Sequence, residues 1–207
     1  MYWNKNIKLL LPLWGMGFFV VFYVLASLNY PGGSRTDPDA VGFSFWDNYL
    51  CDLLDIQTLN GEFNPGRTFT LAALFMLCVG LMVLWLHLPK LFNTNVGNNH
   101  LVRATGILAL VLTMAMPLGN HDVMVRVAGV AGLIALVLVM YGLFKSGHTF
   151  LVRFGTLCLV VFLANYLIYE TGAYLEALPV IQKFTFVFFM GWFAWMDLTL
   201  YQQEKSR

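Results

Sequence analysis

Six apolar runs, each long enough or nearly long enough to cross a bilayer, dominate this chain. A hydrocarbon core of ~30 Å takes about 20 helical residues. Runs near Leu9–Leu28, Thr68–Leu88, Ala104–Leu118, Val123–Phe144, Phe154–Tyr169 and Val180–Tyr201 meet or approach that length. Hydrocarbon offers no partner to backbone N–H and C=O groups, so such runs satisfy them internally, as helices. The expectation is an all-α integral membrane protein: one domain, a six-helix transmembrane bundle. Of 207 residues, 59% are hydrophobic and only 11% are charged, too few to cover a soluble domain of this size. Val24-Leu25-Ala26 resembles a signal-peptidase site, but the apolar stretch before it exceeds the ~7–15 residues of a signal core. A retained first helix is therefore expected.

Basic residues set the orientation. With the N-terminus inside, Lys5, Lys8, Lys90, Arg103, Lys145, Arg153, Lys205 and Arg207 are cytoplasmic, whereas Arg35, Arg67, Arg126 and Lys183 are outside. Both termini are thus expected in the cytoplasm and the chain in the cell's inner (plasma) membrane, as a multi-pass protein. Nine of the eleven acids fall on the outer side, leaving Asp197 and Glu204 inside. Asp197 is placed about one turn from the cytoplasmic end of the sixth helix, where a carboxylate can snorkel to water.

The outer connection, residues 29–67, is the least lipid-like part of the chain. It opens on the turn sequence Tyr30-Pro31-Gly32-Gly33 and closes on Asn64-Pro65-Gly66 before Arg67. Between them, Phe45, Tyr49, Leu53 and Ile56 recur at helical spacing, predicting a short amphipathic helix over Phe43–Ile56. A structured outer cap follows. Pro117-Leu118-Gly119-Asn120 breaks the third helix at the surface, leaving Asn120-His121-Asp122 at the tip of a tight hairpin.

Ionisable groups at membrane depth are costly and usually face a bundle interior or a wet cavity. Here they gather at the outer helix ends. Asp52 and Asp55 come from the cap, Arg67 from the start of helix two, and His121, Asp122 and Arg126 from the hairpin. Glu170 ends helix five and Lys183 opens helix six. Asp122 and Arg126 stand four apart, a spacing that allows them to pair on one helical face. His121 is a candidate proton carrier with Asp52 as its partner, the two forming the candidate catalytic pair. Arg67, Arg126, Glu170, Asp55 and Asp122 are candidate substrate contacts, the arginines for anionic groups through charge-assisted hydrogen bonds. The alternative is that Arg67, Arg126 and Lys183 are interfacial anchors and Asp122 a helix-start cap.

No cofactor and no metal are expected. Histidines sit near span ends or in loops, not facing each other within the spans as a bis-histidine haem requires. A single outer histidine makes a poor zinc site, which needs three protein ligands. No Walker, Gly-x-Ser-x-Gly or His-Glu-x-x-His pattern occurs. Cys51, Cys78 and Cys158 have no paired spacing, and the last two are expected as small packing residues. Scattered single Lys and Arg residues argue against nucleic acid as a partner.

Asn48-Tyr49-Leu50-Cys51-Asp52-Leu53-Leu54, followed by Asn64-Pro65-Gly66-Arg67, resembles the Asn-x-x-Ser-Asp-Leu-Gly segment and Pro-containing helix start of the bacterial and archaeal domain-of-unknown-function 998 membrane family. Pro117 to Ala128, with His121 opening the fourth helix, is similar to that family's proline-then-histidine hairpin. Cys51 and Leu54 depart from the family's serine and glycine. The family is itself distantly similar to the DRAM and FGF-receptor-activating-protein group, some of whose members remodel GPI-anchor lipids. The resemblance implies importance for Asp52 and His121.

Together these features lead to a polar pocket at the outer leaflet that binds or acts on membrane lipids. A non-catalytic accessory subunit or scaffold of a membrane complex, with a partner subunit or as a homo-oligomer, is the alternative. A small-molecule transporter is a second alternative. The Gly and Ala residues of helix four (Ala128, Gly129, Gly132, Ala135) offer a face for close helix packing.

Overall fold

In the computed structural model, residues 7–92, 99–119 and 121–206 are described, without the side chains of residues 7, 121 and 122. Among the described residues, six helices are long and apolar enough to cross a membrane. They are α1 (Leu11–Leu28), α2 (Arg67–His87), α3 (Asn99–Ala115), α4 (His121–Lys145), α5 (Thr149–Thr171) and α6 (Leu178–Lys205). Each packs on its neighbour in sequence, and α6 returns to meet α1 and α2. Both described ends of the chain therefore lie at one end of the bundle, the terminal end, and the α1–α2 connection caps the other.

The six expected helices are present, with four of them longer. α3 begins at Asn99 instead of Ala104, α4 covers 25 residues, α5 covers 23 and α6 covers 28. The added residues include polar ones at the helix ends, His100, Arg103, Arg153 and Lys205, which an interfacial helix turn tolerates. α3 passes into a 3-10 turn, Met116–Leu118, where Pro117 blocks further α-helical bonding. Gly172, at φ 71°, ends α5, since only the left-handed conformation closes the helix there.

α1 and α2 cross closely. A Cβ on Gly15 would meet the Met76 carbonyl oxygen at 2.6 Å and the Gly80 Cα at 3.1 Å, so two backbones touch without side chains between them. Trp85 of α2 reaches across to α3, where its indole lies over Gly106.

The main core sits in the terminal half. Buried residues of α3 are Val102, Gly106 and Ala109, and those of α5 are Leu151, Gly155 and Cys158. In α4, Ala135, Leu136, Val139 and Leu143 are buried, with Ala128 alone from the cap half among the described side chains. Cys78 and Cys158 are buried packing residues, as expected. The terminal end is tied by Lys90–Glu204 at 2.8 Å, by Arg103 Nε donating to Leu86 O, and by Trp192 Nε1 donating to Leu151 O. The middle is aromatic: Phe189 contacts Phe162, Trp192 and Phe193. The cap halves of α3, α4 and α5 are consequently the most loosely packed parts of the bundle.

Asp197 corrects the snorkelling expectation. Its exposure is 0%, and neither carboxylate oxygen has a partner among the described residues. α6 continues eight residues beyond it to Lys205, about 12 Å of helix. The 3-10 turns Ile7–Leu10 and Leu88–Leu91 pack on α6 in this region. Water is out of reach of the side chain.

Candidate functional site

The cap is compact, but it lacks the expected amphipathic helix. Of Phe43–Ile56, only Cys51–Leu54 is helical, as a single 3-10 turn. The reason is competition from side chains for backbone partners. Ser44 N donates to Asn48 Oδ1 at 2.9 Å, Tyr49 N to Asp52 Oδ2 at 2.8 Å, and Asp47 N to Ser44 Oγ at 3.2 Å. Each holds a backbone amide outside an i→i−4 ladder. The predicted apolar face splits accordingly: Leu53 and Tyr49 are buried, whereas Phe45 and Ile56 are exposed.

Asn48 is the hub of the cap. Fully buried, it donates from Nδ2 to Gly33 O at 2.7 Å and to Asp52 Oδ2 at 3.1 Å. Its carbonyl accepts from Lys183 Nζ at 2.6 Å. Lys183 also donates to Pro179 O at 3.0 Å and lies over the rings of Phe43 and Phe45, 5.7 and 5.0 Å from their centroids. Further ties run from the Tyr23 hydroxyl to Leu50 O and from Leu50 N to Gln182 Oε1 at 2.8 Å. Lys183 is thus no interfacial anchor: it is 6% exposed and clamps the cap to α6. Its tertiary partner is a backbone carbonyl, which no charge-pairing pattern in the sequence signals.

Asp52 is 8% exposed, and its Oδ2 accepts from both Asn48 and Tyr49. It lines neither cavity described below. Burial raises its pKa, with nearby Asp55 adding to the rise, while the Asn48 and Tyr49 hydrogen bonds oppose it. A folded value above the unfolded ~3.9 means that the folded protein binds more protons between the two. Cap stability is therefore highest below that window and falls as pH rises through it. Asp52→Asn keeps an acceptor for Tyr49 N and removes the titration. We expect it to flatten the acid-to-neutral profile of thermal unfolding without loss of stability at neutral pH; a wild-type slope in the variant would assign the pH dependence elsewhere. Burial, then Asp52 and Asp55, push the neighbouring Cys51 thiol up to about 12, so it holds no thiolate at neutral pH.

Two cavities open in the loosely packed cap half. The first, of about 200 Å³, lies between cap and hairpin and is lined by Leu54, Asp55, Ile56, Arg67, Met116, Pro117 and Gly119. Arg67 sits in the first turn of α2, its Nε fixed on Leu54 O at 2.8 Å. Its two terminal nitrogens have no hydrogen-bond or ion-pair partner among the described residues. The second, of about 400 Å³, is a groove between α3 and α4 that includes Arg126.

The structure thus brings Asp55 and Arg67 to one cleft. It pairs Arg126 with Glu170 across α4 and α5, Nε to Oε1 at 2.9 Å and Nη2 to Oε2 at 3.4 Å. Asp122, which sequence spacing offers as a partner of Arg126, has its side chain outside the described residues, and a carboxylate 44 residues away is invisible to such spacing. His121 and Asp122 begin α4, two and three residues beyond Gly119, but their side chains lie outside the described residues. No group of three or more His, Cys, Asp or Glu side chains suited to a metal occurs among the described residues.

No family model, curated protein or solved structure matches this chain.

Proposed function

We propose that this multi-pass membrane protein binds phospholipid head groups of the cap-side leaflet in the cleft between cap and hairpin. The proposal places it in the plasma membrane with the cap outward. The observation that carries this reading is Arg67: a guanidinium anchored through Nε, with terminal nitrogens that have no partner among the described residues, lining a cleft at the cap end of the bundle. A phosphate there accepts charge-assisted hydrogen bonds and meets the positive end of the α2 dipole. Asp55 lines the same cleft. The apolar wall formed by Leu54, Ile56, Met116 and Pro117 suits the glycerol and upper acyl region.

Two features support lipid binding over the alternatives. Phe162, Phe189, Trp192 and Phe193 pack together in the middle of the bundle, between Glu170 and Asp197, which weighs against the transport reading. The scaffold reading accounts for Asn48, Asp52 and Lys183, whose bonds hold cap to bundle, but not for the uncommitted end of Arg67.

The test is lipid retention by native mass spectrometry of protein extracted from nanodiscs of mixed phosphatidylglycerol and phosphatidylcholine. Arg67→Gln should lower retained phospholipid about tenfold, the scale of one or two charge-assisted hydrogen bonds. Arg153→Gln, at the opposite end of the bundle, should leave it unchanged. Competition by excess inorganic phosphate would identify free phosphate as the ligand; an Arg67→Gln variant that retains lipid at the wild-type level would end the proposal.

A further inference from the structure

Arg103 repeats, at the terminal end, the arrangement of Arg67. Pro89 has no N–H, and the chain leaves α2 through the 3-10 turn Leu88–Leu91, so the last carbonyls of α2 take donors from elsewhere. Arg103, in the second turn of α3, supplies one: its Nε donates to Leu86 O at 2.9 Å. One turn further along α3, the Trp85 indole lies over Gly106 and holds the two helices together at this corner.

The rest of the guanidinium is uncommitted. Arg103 is half-buried, and its two terminal nitrogens have no hydrogen-bond or ion-pair partner among the described residues. The carbonyl end of α2 carries about half an elementary negative charge, which leaves the group net positive. No described carboxylate at this end competes for it: Glu204 is held by Lys90, and Asp197 is enclosed in the core. Lys8, Lys145 and Lys205 are exposed at the same end, each also without an acid partner among the described residues.

Position selects the ligand. Arg103 stands four residues, about 6 Å, along α3 from Asn99. Leu86, whose carbonyl it holds, and Leu101, two residues before it, are about half exposed. On a helix pair long and apolar enough to cross a membrane, such leucines meet lipid. The free nitrogens therefore stand where apolar side chains give way to head groups, and the anion within reach there is a lipid phosphate.

We infer that the α2–α3 corner binds an anionic phospholipid of the terminal-side leaflet, its phosphate on the terminal nitrogens of Arg103. The site is separate from the cap cleft and lies at the opposite face of the membrane. An acidic segment of a second protein would have to reach the same nitrogens past Leu86 and Leu101, at the desolvation cost of its own charge.

The experiment places full-length protein in nanodiscs of phosphatidylcholine with a minor share of phosphatidylglycerol, each lipid in turn carrying a diazirine close to its glycerol. Because Arg103 is only half-buried, its lipid exchanges with the bilayer, and cross-links formed in place, mapped by peptide, are the readout. Residues 83–92 and 99–107 should label about fivefold more from phosphatidylglycerol than from phosphatidylcholine, the scale of one basic group facing an anionic lipid. Arg103→Gln should bring that ratio to about one, and Arg103→Lys, which keeps the charge, should restore most of it. The ratio does not register a loosening of the corner by the lost Leu86 bond, since both lipids meet the same surface. Arg67→Gln, which acts on the cap cleft, should leave the ratio unchanged, so the two sites fail separately. Thermal unfolding establishes that each variant is folded; if Arg103→Gln is not, the wild-type ratio decides. Equal labelling from the two lipids in the wild type, or an undiminished ratio in folded Arg103→Gln, would overturn the inference. So would loss of the preference to excess inorganic phosphate at constant ionic strength, which would make the free anion the ligand.

Discussion

Lys183→Met is expected to release the cap from the bundle while leaving six helices in place. The ammonium gives up two charge-assisted hydrogen bonds, to Asn48 O and Pro179 O, and its position over Phe43 and Phe45. Such bonds contribute about 1.5–3 kcal/mol each, and a buried cation over an aromatic face up to about 2 kcal/mol more. Methionine recovers part of this by ending the desolvation of a charge, so the net loss is about 3 kcal/mol. It falls on the cap, because the Asn48 carbonyl then has no donor from α6. Hydrogen exchange resolved by peptide should show residues 43–56 exchanging about a hundredfold faster, while α2 and α4 keep their protection. Unchanged exchange in the cap would mean that the Tyr23 and Gln182 contacts suffice and that Lys183 is no clamp.

Gly15→Val should be equally damaging at the other contact that organises the fold. At 2.6 Å from the Met76 carbonyl oxygen, a new Cβ meets backbone, which cannot rotate away, so α1 and α2 must separate along their crossing. The expected destabilisation is about 2–4 kcal/mol, at the upper end of overpacking because both neighbours are main chain. Gly17→Val is the matched control, two residues along the same helix, with nothing within 4 Å of its added Cβ. Its effect should stay within about 0.5 kcal/mol. Comparable losses in the two variants, measured by unfolding in mixed micelles, would show that helix propensity and not the crossing governs the response.

The helices were legible in the sequence because hydrocarbon length is a one-dimensional requirement: twenty apolar residues satisfy it wherever they pack. The cap was less so. Phe45, Tyr49, Leu53 and Ile56 have a helix's period, yet Ser44, Asn48 and Asp52 bond to nearby amides and prevail over it. Asp197 and Lys183 were misjudged for a related reason. Distance from a helix end predicts access to water only when no other element covers that end, and here 3-10 turns and the cap do. For the candidate site, the gathering of Arg67 and Asp55 at the cap end of the bundle was readable. The pairing of Arg126 with Glu170 and the committed state of Asp52 depend on how α4, α5 and the cap approach each other, which local spacing does not encode.

The burial of Asp197 and Lys183 in one helix also bears on how the chain reaches the membrane. A charged side chain within a span costs up to about 2.5–3.5 kcal/mol on insertion scales, the most at its centre and less toward its ends. α6 carries both, and it is the least apolar of the six spans. Lys183 recovers its cost only when the cap is already folded beneath it, and Asp197 meets no partner among the described residues even in the finished bundle. α6 is therefore the span least able to enter the bilayer alone. It should do so as a hairpin with α5, whose Asn165 side chain bonds to Thr185 of α6 and so shields polar groups on both during entry. Biogenesis, more than the folded state, is then the step at which small losses of hydrophobicity in α6 are felt.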